Sequence, residues 1–82
     1  MDDRTLADTV LSLVGGIENV SAVTACASRL RLTLRDESIH DDEALTALPD
    51  VPLVLFQGGQ FQVVLGARAM PVSRVVRELL PA

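Results

Sequence analysis

Apolar residues recur along this chain with two different periods, and each change of period marks an element. Leu6, Val10, Leu13 and Val14 stand at i, i+4, i+7 and i+8. That spacing gathers them on one stripe of a helix over residues 3–14. Asp2 or Asp3 can cap its start, and Gly15-Gly16 offers a left-handed stop. The next run, NVSAVTA at 19–25, is rich in small and β-branched residues and reads as a strand, with a turn at Cys26-Ala27-Ser28. From Arg29 to Arg35 the chain alternates R-L-R-L-T-L-R. Successive strand side chains point to opposite faces, so Leu30, Leu32 and Leu34 turn to the core and Arg29, Arg31, Thr33 and Arg35 face outward.

Asp41 to Leu48 reads as a short capped helix with Ala44, Leu45 and Leu48 inward, closed by Pro49. VPLVLF at 51–56 reads as a strand, and Pro52 marks an edge position or the strand's beginning. QGGQ at 57–60 is a turn, and FQVVLG at 61–66 is the returning strand, with Phe61, Val63 and Leu65 on one face. PVSRVVRELL at 71–80 is an amphipathic helix: Pro71 suits its first turn, and Val72, Val75, Val76 and Leu79 form the buried stripe. The order is α-β-β-α-β-β-α. Two hairpins predict a four-stranded antiparallel sheet with three helices on one face, an open-faced α+β sandwich. The other face stays open and bears Arg29 and Arg31. No linker, repeat or low-complexity segment interrupts residues 1–82, which read as a single domain.

Composition narrows the function. Apolar residues make up 49% of the 82 and aromatic residues only 2%, so the core is built from Leu, Val, Ile and Ala. The net charge is −4 and the isoelectric point about 4.6. Nucleic-acid binding and a polybasic membrane anchor both need a basic footprint, and this balance argues against each. The single cysteine cannot form an internal disulfide, which fits a reducing cytoplasm. MDDRTLADTV is too polar for a signal peptide, and no apolar run approaches the roughly 20 residues that span a bilayer. The expected location is cytoplasmic.

That cysteine lies in TACASRLRLTLRDE, residues 24–37, with three of the seven basic residues, all of them arginine. A lone cysteine near a strand end is ordinarily a small buried hydrophobe. Here Cys26 falls in the expected turn, where its thiol can be exposed. The N–H groups of Ala27, Ser28 and Arg29 can converge there as an anion-binding nest. Arg29 and Arg31, two apart on a strand, project from one face beside it. A guanidinium fork can give phosphate two hydrogen bonds at once, and positive charge favours thiolate over thiol. The residues describe a nucleophile beside an oxyanion cradle.

The stretch resembles the IIB component of the bacterial phosphoenolpyruvate:sugar phosphotransferase system, glucose/N-acetylglucosamine type. The family pattern around its phosphorylated cysteine runs Asn, an aliphatic, five residues, Cys, any residue, Thr, Arg, then alternating aliphatics up to an acidic or amide residue. Here Asn19, Val20, Cys26, Arg29, Leu30, Leu32, Leu34 and Asp36 fit, and Ser28 keeps a hydroxyl where Thr is usual. LVGGIENV at 13–20 and DDEALTAL at 41–48 look like the family's first-helix exit and middle helix. GGQFQVVLG at 58–66 is similar to its Gly-Gly-x-x-Gln-Val-Val-x-Gly segment.

The resemblance implies that Cys26 takes a phosphoryl group from a phosphohistidine on a IIA partner and passes it to a sugar, glucose or N-acetylglucosamine, held by a membrane IIC permease. It makes the chain a phosphotransferase that works as a monomer at the inner face of the membrane, without cofactor, metal or nucleic acid. Cys26, Arg29 and Arg31 become the catalytic residues, and Ala27, Ser28 and Arg29 the phosphate-binding ones. Arg29 neutralises the phosphoryl charge and Arg31 serves the onward transfer. If complete, the chain is a freestanding subunit; otherwise it was cut from a fusion.

Other residues carry blander readings. His40 is read as an ordinary surface histidine, Asp41-Asp42-Glu43 as acids favouring a helix start, and Gln60 and Gln62 as solvated amides. Gly58-Gly59 lacks the lysine of a phosphate loop and is a hairpin turn. The rival function is a non-catalytic regulatory or interaction module of the same architecture, in which Cys26 is buried. A cysteine phosphatase is disfavoured, because there the arginine follows in a helix-entering loop rather than on a strand.

Overall fold

The computed structural model describes residues 1–81. Its elements are α1 (Asp3–Ser12), β1 (Val20–Cys26), β2 (Arg29–Leu34), α2 (Asp42–Thr46), β3 (Val54–Gln57), β4 (Gln60–Val64) and α3 (Ala69–Leu79). The four strands form one antiparallel sheet in the order β1-β2-β4-β3. This is the α+β arrangement the alternation predicts. Leu30, Leu32 and Leu34 of β2 join Val23 of β1 and Phe61 and Val63 of β4 in one core with Leu6, Val10 and Leu11 of α1, Leu45 of α2, and Val72 and Val76 of α3. All three helices therefore pack on the face those leucines select.

Where the elements end departs from the sequence pattern, and each departure has a tertiary cause. α1 stops at Ser12, two residues before the expected Val14. Its exit carbonyls have other partners: the Asp41 N–H donates to Leu13 O at 2.8 Å, and Asn19 Nδ2 to Val14 O at 2.8 Å. Asn19 is buried and works as a clamp. Its Nδ2 also donates to Asp36 O, and its Oδ1 accepts the Asp36 N–H, which ties the exit of α1 to the end of β2. A 3-10 turn at Ile17–Asn19 leads from α1 into β1.

α2 is shorter than Asp41–Leu48. Asp41 is its cap, accepting the Ala44 N–H at 3.0 Å. β3 begins at Val54 rather than Val51, because Val51 is buried and its N–H turns back to Leu48 O. Pro52 has no N–H to offer a ladder. The β3–β4 connection is a two-residue hairpin with Gln57 paired to Gln60. Gly58 and Gly59 both have positive φ, +61° and +76°, the conformation that the right-handed twist of a tight hairpin demands.

α3 begins at Ala69, two residues early, preceded by a 3-10 turn at Gly66–Arg68. Pro71 keeps its place in the first turn, where its missing N–H costs nothing. Arg68 fixes this entry: Nη2 and Nε reach Asp3 Oδ1 at 2.8 and 3.2 Å, and Nη1 reaches Asp50 Oδ2 at 3.4 Å. One guanidinium thus joins the starts of α1 and α3 to the loop before β3, and its hydrogen bond to Asp3 holds its pKa above the ordinary value.

Two predictions follow from this packing. Leu32 is fully buried at the centre of the sheet, so Leu32→Ala should cost about 2–5 kcal/mol, read from the denaturant midpoint. Asp2 caps α1 by accepting the Thr5 N–H at 2.7 Å, and that bond holds its carboxyl below the usual carboxylate range. The cap's contribution is complete above the unfolded carboxyl pKa, about 3.9, and fades as pH falls through the lower folded value. Asp2→Ala should therefore lower Tm at neutral pH, and the gap from wild type should close as the solution is acidified below about pH 4.

Candidate functional site

The alternation that buries three leucines of β2 delivers Arg29 and Arg31 to the opposite face, which no helix covers. β1 runs antiparallel beside β2, pairing Cys26 with Arg29 and Thr24 with Arg31. Cross-strand partners lie on the same face. Cys26, Thr24, Arg29 and Arg31 therefore share the open face, and the Cys26 thiol is exposed. This removes the premise of a buried cysteine on which the regulatory-module reading rests.

Only two residues, Ala27 and Ser28, connect Cys26 to Arg29. Cys26 closes β1, one residue beyond the expected strand, and the turn is correspondingly tighter. Ala27 has φ +21°, the single positive φ outside glycine among the described residues. Its N–H and that of Ser28 make no backbone hydrogen bond among those residues, whereas the Ser28 carbonyl accepts from Leu65 and Gly66. Ser28 is exposed, with its hydroxyl beside the thiol in sequence. The expected cradle residues Ala27, Ser28 and Arg29 thus form a tight turn directly after the nucleophile candidate.

Gln62 is a member of this site that the sequence pattern did not single out. It is the β4 partner of Arg31. Read as a solvated amide, it is in fact buried, at 4% exposure, and its Oε1 accepts from Arg29 Nη1 at 3.1 Å. The bond occupies one donor of Arg29 with a neutral acceptor and leaves the positive charge uncancelled. The available signal was phase: Gln60 and Gln62 alternate with Phe61 and Val63, so they belong to the open face. Arg31 differs from Arg29, since its Nε is buried without a hydrogen-bond partner.

The electrostatics of this face oppose those of the chain. None of the eleven acidic residues lies in a strand. Arg29 and Arg31 are accordingly the only charges the sheet carries, in a protein of net charge −4. An anion approaching Cys26 meets two guanidinium groups and no carboxylate on the sheet.

His40 lies elsewhere, and it is more than a surface histidine. It stacks on Phe61, with ring centroids 4.5 Å apart, and on Phe56 at 6.2 Å. Its Nδ1 pairs with Asp42 Oδ1 at 2.6 Å. Phe61 faces the core, so this stack sits on the helix-covered side of the sheet, away from Cys26. Among the described residues no group of three or more His, Cys, Asp or Glu side chains could hold a metal ion, and no helix is long and apolar enough to cross a membrane.

Comparison with known proteins accords with this arrangement. The family model for the EIIB of the phosphotransferase system matches residues 8–41, which include Cys26, Arg29 and Arg31. The chain is 40% identical over 79 residues to a sucrose-specific EIIBC component of Staphylococcus xylosus, covering 96% of this chain and 16% of that protein. It is also 40% identical over 79 residues to a β-glucoside-specific EIIBCA component of Dickeya chrysanthemi, covering 96% and 12%. It thus spans about an eighth to a sixth of the length of these curated relatives. A solved domain of the phosphotransferase-system IIabc component from Clostridium difficile superposes with a TM-score of 0.80 at 27% identity, covering 94% of this chain and 80% of that one. The cysteine pattern, the fold and these relatives converge on one conclusion: the chain belongs to the EIIB family of the phosphotransferase system.

Proposed function

We propose that this chain is the phosphoryl carrier of a sugar phosphotransferase system, with Cys26 as the carrying residue. In the first step Cys26 Sγ, as thiolate, attacks the phosphorus of a phosphohistidine on a IIA protein. The N–P bond breaks, an S–P bond forms, and the histidine is released. In the second step a hydroxyl of a sugar held by a membrane IIC protein attacks the same phosphorus. The S–P bond breaks, an O–P bond forms, the hydroxyl proton is lost, and the thiolate returns. Phosphoryl transfer calls chiefly for in-line positioning and for stabilisation of the equatorial oxygens. The observation that carries this reading is the exposed Cys26 directly across the ladder from Arg29, on a sheet without a carboxylate.

The two arginines divide the work. Arg29 is restrained by Gln62 and belongs to a fixed cradle with the Ala27 and Ser28 N–H groups and the Ser28 hydroxyl. Arg31, whose buried Nε has no partner, is the fork that serves the onward transfer to the sugar. An acidic chain with so local a positive face suits docking to proteins rather than to nucleic acid, and the chain acts as a monomer on the cytoplasmic side of the membrane beside IIC. The relatives named for sucrose and for β-glucosides point to a sugar with a glucosyl unit, a class that includes the expected glucose and lies close to N-acetylglucosamine.

Two variants test this reading. Cys26→Ser should abolish phosphorylation by a phosphorylated IIA protein while the thermal melt stays close to wild type, with mass spectrometry locating the phosphoryl group on Cys26 of the unaltered chain. A serine variant that still takes phosphate at the normal rate rules the carrier assignment out. Arg31→Lys replaces a planar fork with a point charge. It should impair transfer to the sugar by at least about tenfold, the worth of one lost charge-assisted hydrogen bond, while acceptance from IIA is reduced less. Equal loss in both steps contradicts the division between Arg29 and Arg31.

A further inference from the structure

The turn that carries Cys26 is tied from outside its own hairpin. The Ser28 carbonyl accepts two N–H groups, from Leu65 at 2.9 Å and from Gly66 at 3.1 Å. Both donors follow directly on β4, the strand that also supplies Gln62 to Arg29. The two sides of the gap between Cys26 and Arg29 are therefore referenced to the same strand. Arg29 is held through its side chain, and the turn is held through the Ser28 oxygen.

Gly66 has the conformation that lets both hydrogen bonds stand while the chain turns away from β4. Its φ is +59°, and a Cβ placed on it would have nothing within 4 Å. Glycine is needed there for its left-handed backbone rather than for room. On one side Leu65 is buried in the core. On the other, Arg68 is held by Asp3 and Asp50. Between these anchors Leu65, with ψ near 2°, turns two consecutive amides toward one oxygen, and the left-handed step at Gly66 carries the chain on to Arg68 without drawing them away. Past that oxygen lies Ala27, kept at a positive φ that alanine does not favour in isolation.

We propose that Gly66 is a positioning residue for phosphoryl transfer: its left-handed backbone lets the chain turn from Leu65 to Arg68 while the Leu65 and Gly66 amides stay on the Ser28 carbonyl, and so keeps Cys26 Sγ in place relative to Arg29. The inference rests on the carrier reading above. A β-branched or alanine side chain at residue 66 pulls φ toward negative values, swings the Gly66 amide off Ser28, and lets Ala27 relax. The sulfur then moves with the turn while Arg29 stays with Gln62. Misplacement of a reacting group by 1 Å costs on the order of a hundredfold in rate.

The test uses the whole chain with Gly66→Ala and Gly66→Asn, asparagine being the side chain that best tolerates the left-handed region. With a phosphorylated IIA donor, Gly66→Ala should accept phosphate on Cys26 about ten- to a hundredfold more slowly than wild type, and Gly66→Asn should regain most of that loss. A second readout needs no donor: the ratio of the rates at which Cys26 reacts with a dianionic aryl disulfide and with neutral iodoacetamide. The dianion senses the Arg29 charge beside the sulfur, so the ratio should fall severalfold in Gly66→Ala and stay near wild type in Gly66→Asn. A merely structural glycine would lower Tm in Gly66→Ala without moving the ratio well below the melt. In the wild-type chain the Leu65 and Gly66 amides should exchange slowly with deuterium. Unprotected exchange at either site overturns the proposal whether or not Gly66→Ala folds, as do wild-type rates and ratio in a folded Gly66→Ala. Failure of the unaltered chain to take phosphate on Cys26 overturns the carrier reading instead, and leaves the reagent ratio and the exchange rates to decide the role of Gly66.

Discussion

The strand β2 cannot bury its leucines without presenting its arginines. Leu30, Leu32 and Leu34 are at most 4% exposed, and each lies between residues whose side chains must point the other way. A register slip of one residue would drive Arg29 and Arg31 into the core and expose all three leucines. Hydrophobic burial, which holds the sheet to its helices, therefore also fixes which face is basic. The site depends on the same pleat as the core.

From that constraint the remaining geometry follows in short steps. A two-residue turn brings β1 back antiparallel, so the residue before the turn pairs with the first residue of β2, and Cys26 meets Arg29. β4 adds along the other side of β2 and lays Gln62 beside both arginines. The acids stay off the strands, in helices, loops and turns, where some cap, as Asp2 and Asp41 do, and some join ion pairs, as Asp3 and Asp50 do. An acidic protein thereby keeps a small positive field around one sulfur. Net charge describes the average surface, whereas the field at Cys26 is set by the few groups within a Debye length, about 8–10 Å.

Much of this was legible in the chain because it is local. The period-two run at 29–35 placed β2 and assigned its faces. The glycine pair at 58–59 marked the second hairpin, and the stripe of Val72, Val76 and Leu79 marked α3. Arg29 and Arg31 could be placed on one face beside the turn that holds Cys26 from spacing alone. Features that needed a partner distant in sequence were not legible. Asn19 reads as a strand-entry residue, yet it closes α1 because Val14 and Asp36 converge on its amide. His40 reads as solvated, yet Phe61, twenty-one positions on, lies under its ring. Leu65 and Gly66 read as the end of a strand, and nothing near them in the chain announces that their amides serve Ser28.

The amino-acid order by itself determined the elements, the inward and outward sets of β2 and β4, and the placing of a candidate cysteine in the turn before β2, because alternation and turn chemistry act over a few residues. Only the tertiary structure decided where α1 stops and β3 begins, that Gln62 is buried against Arg29 while Arg31 has an orphaned Nε, and that the cysteine turn is held by the residues that follow β4. Those outcomes depend on which backbone and amide groups meet across the fold, and a hydrogen bond between residues far apart in sequence leaves no periodicity behind.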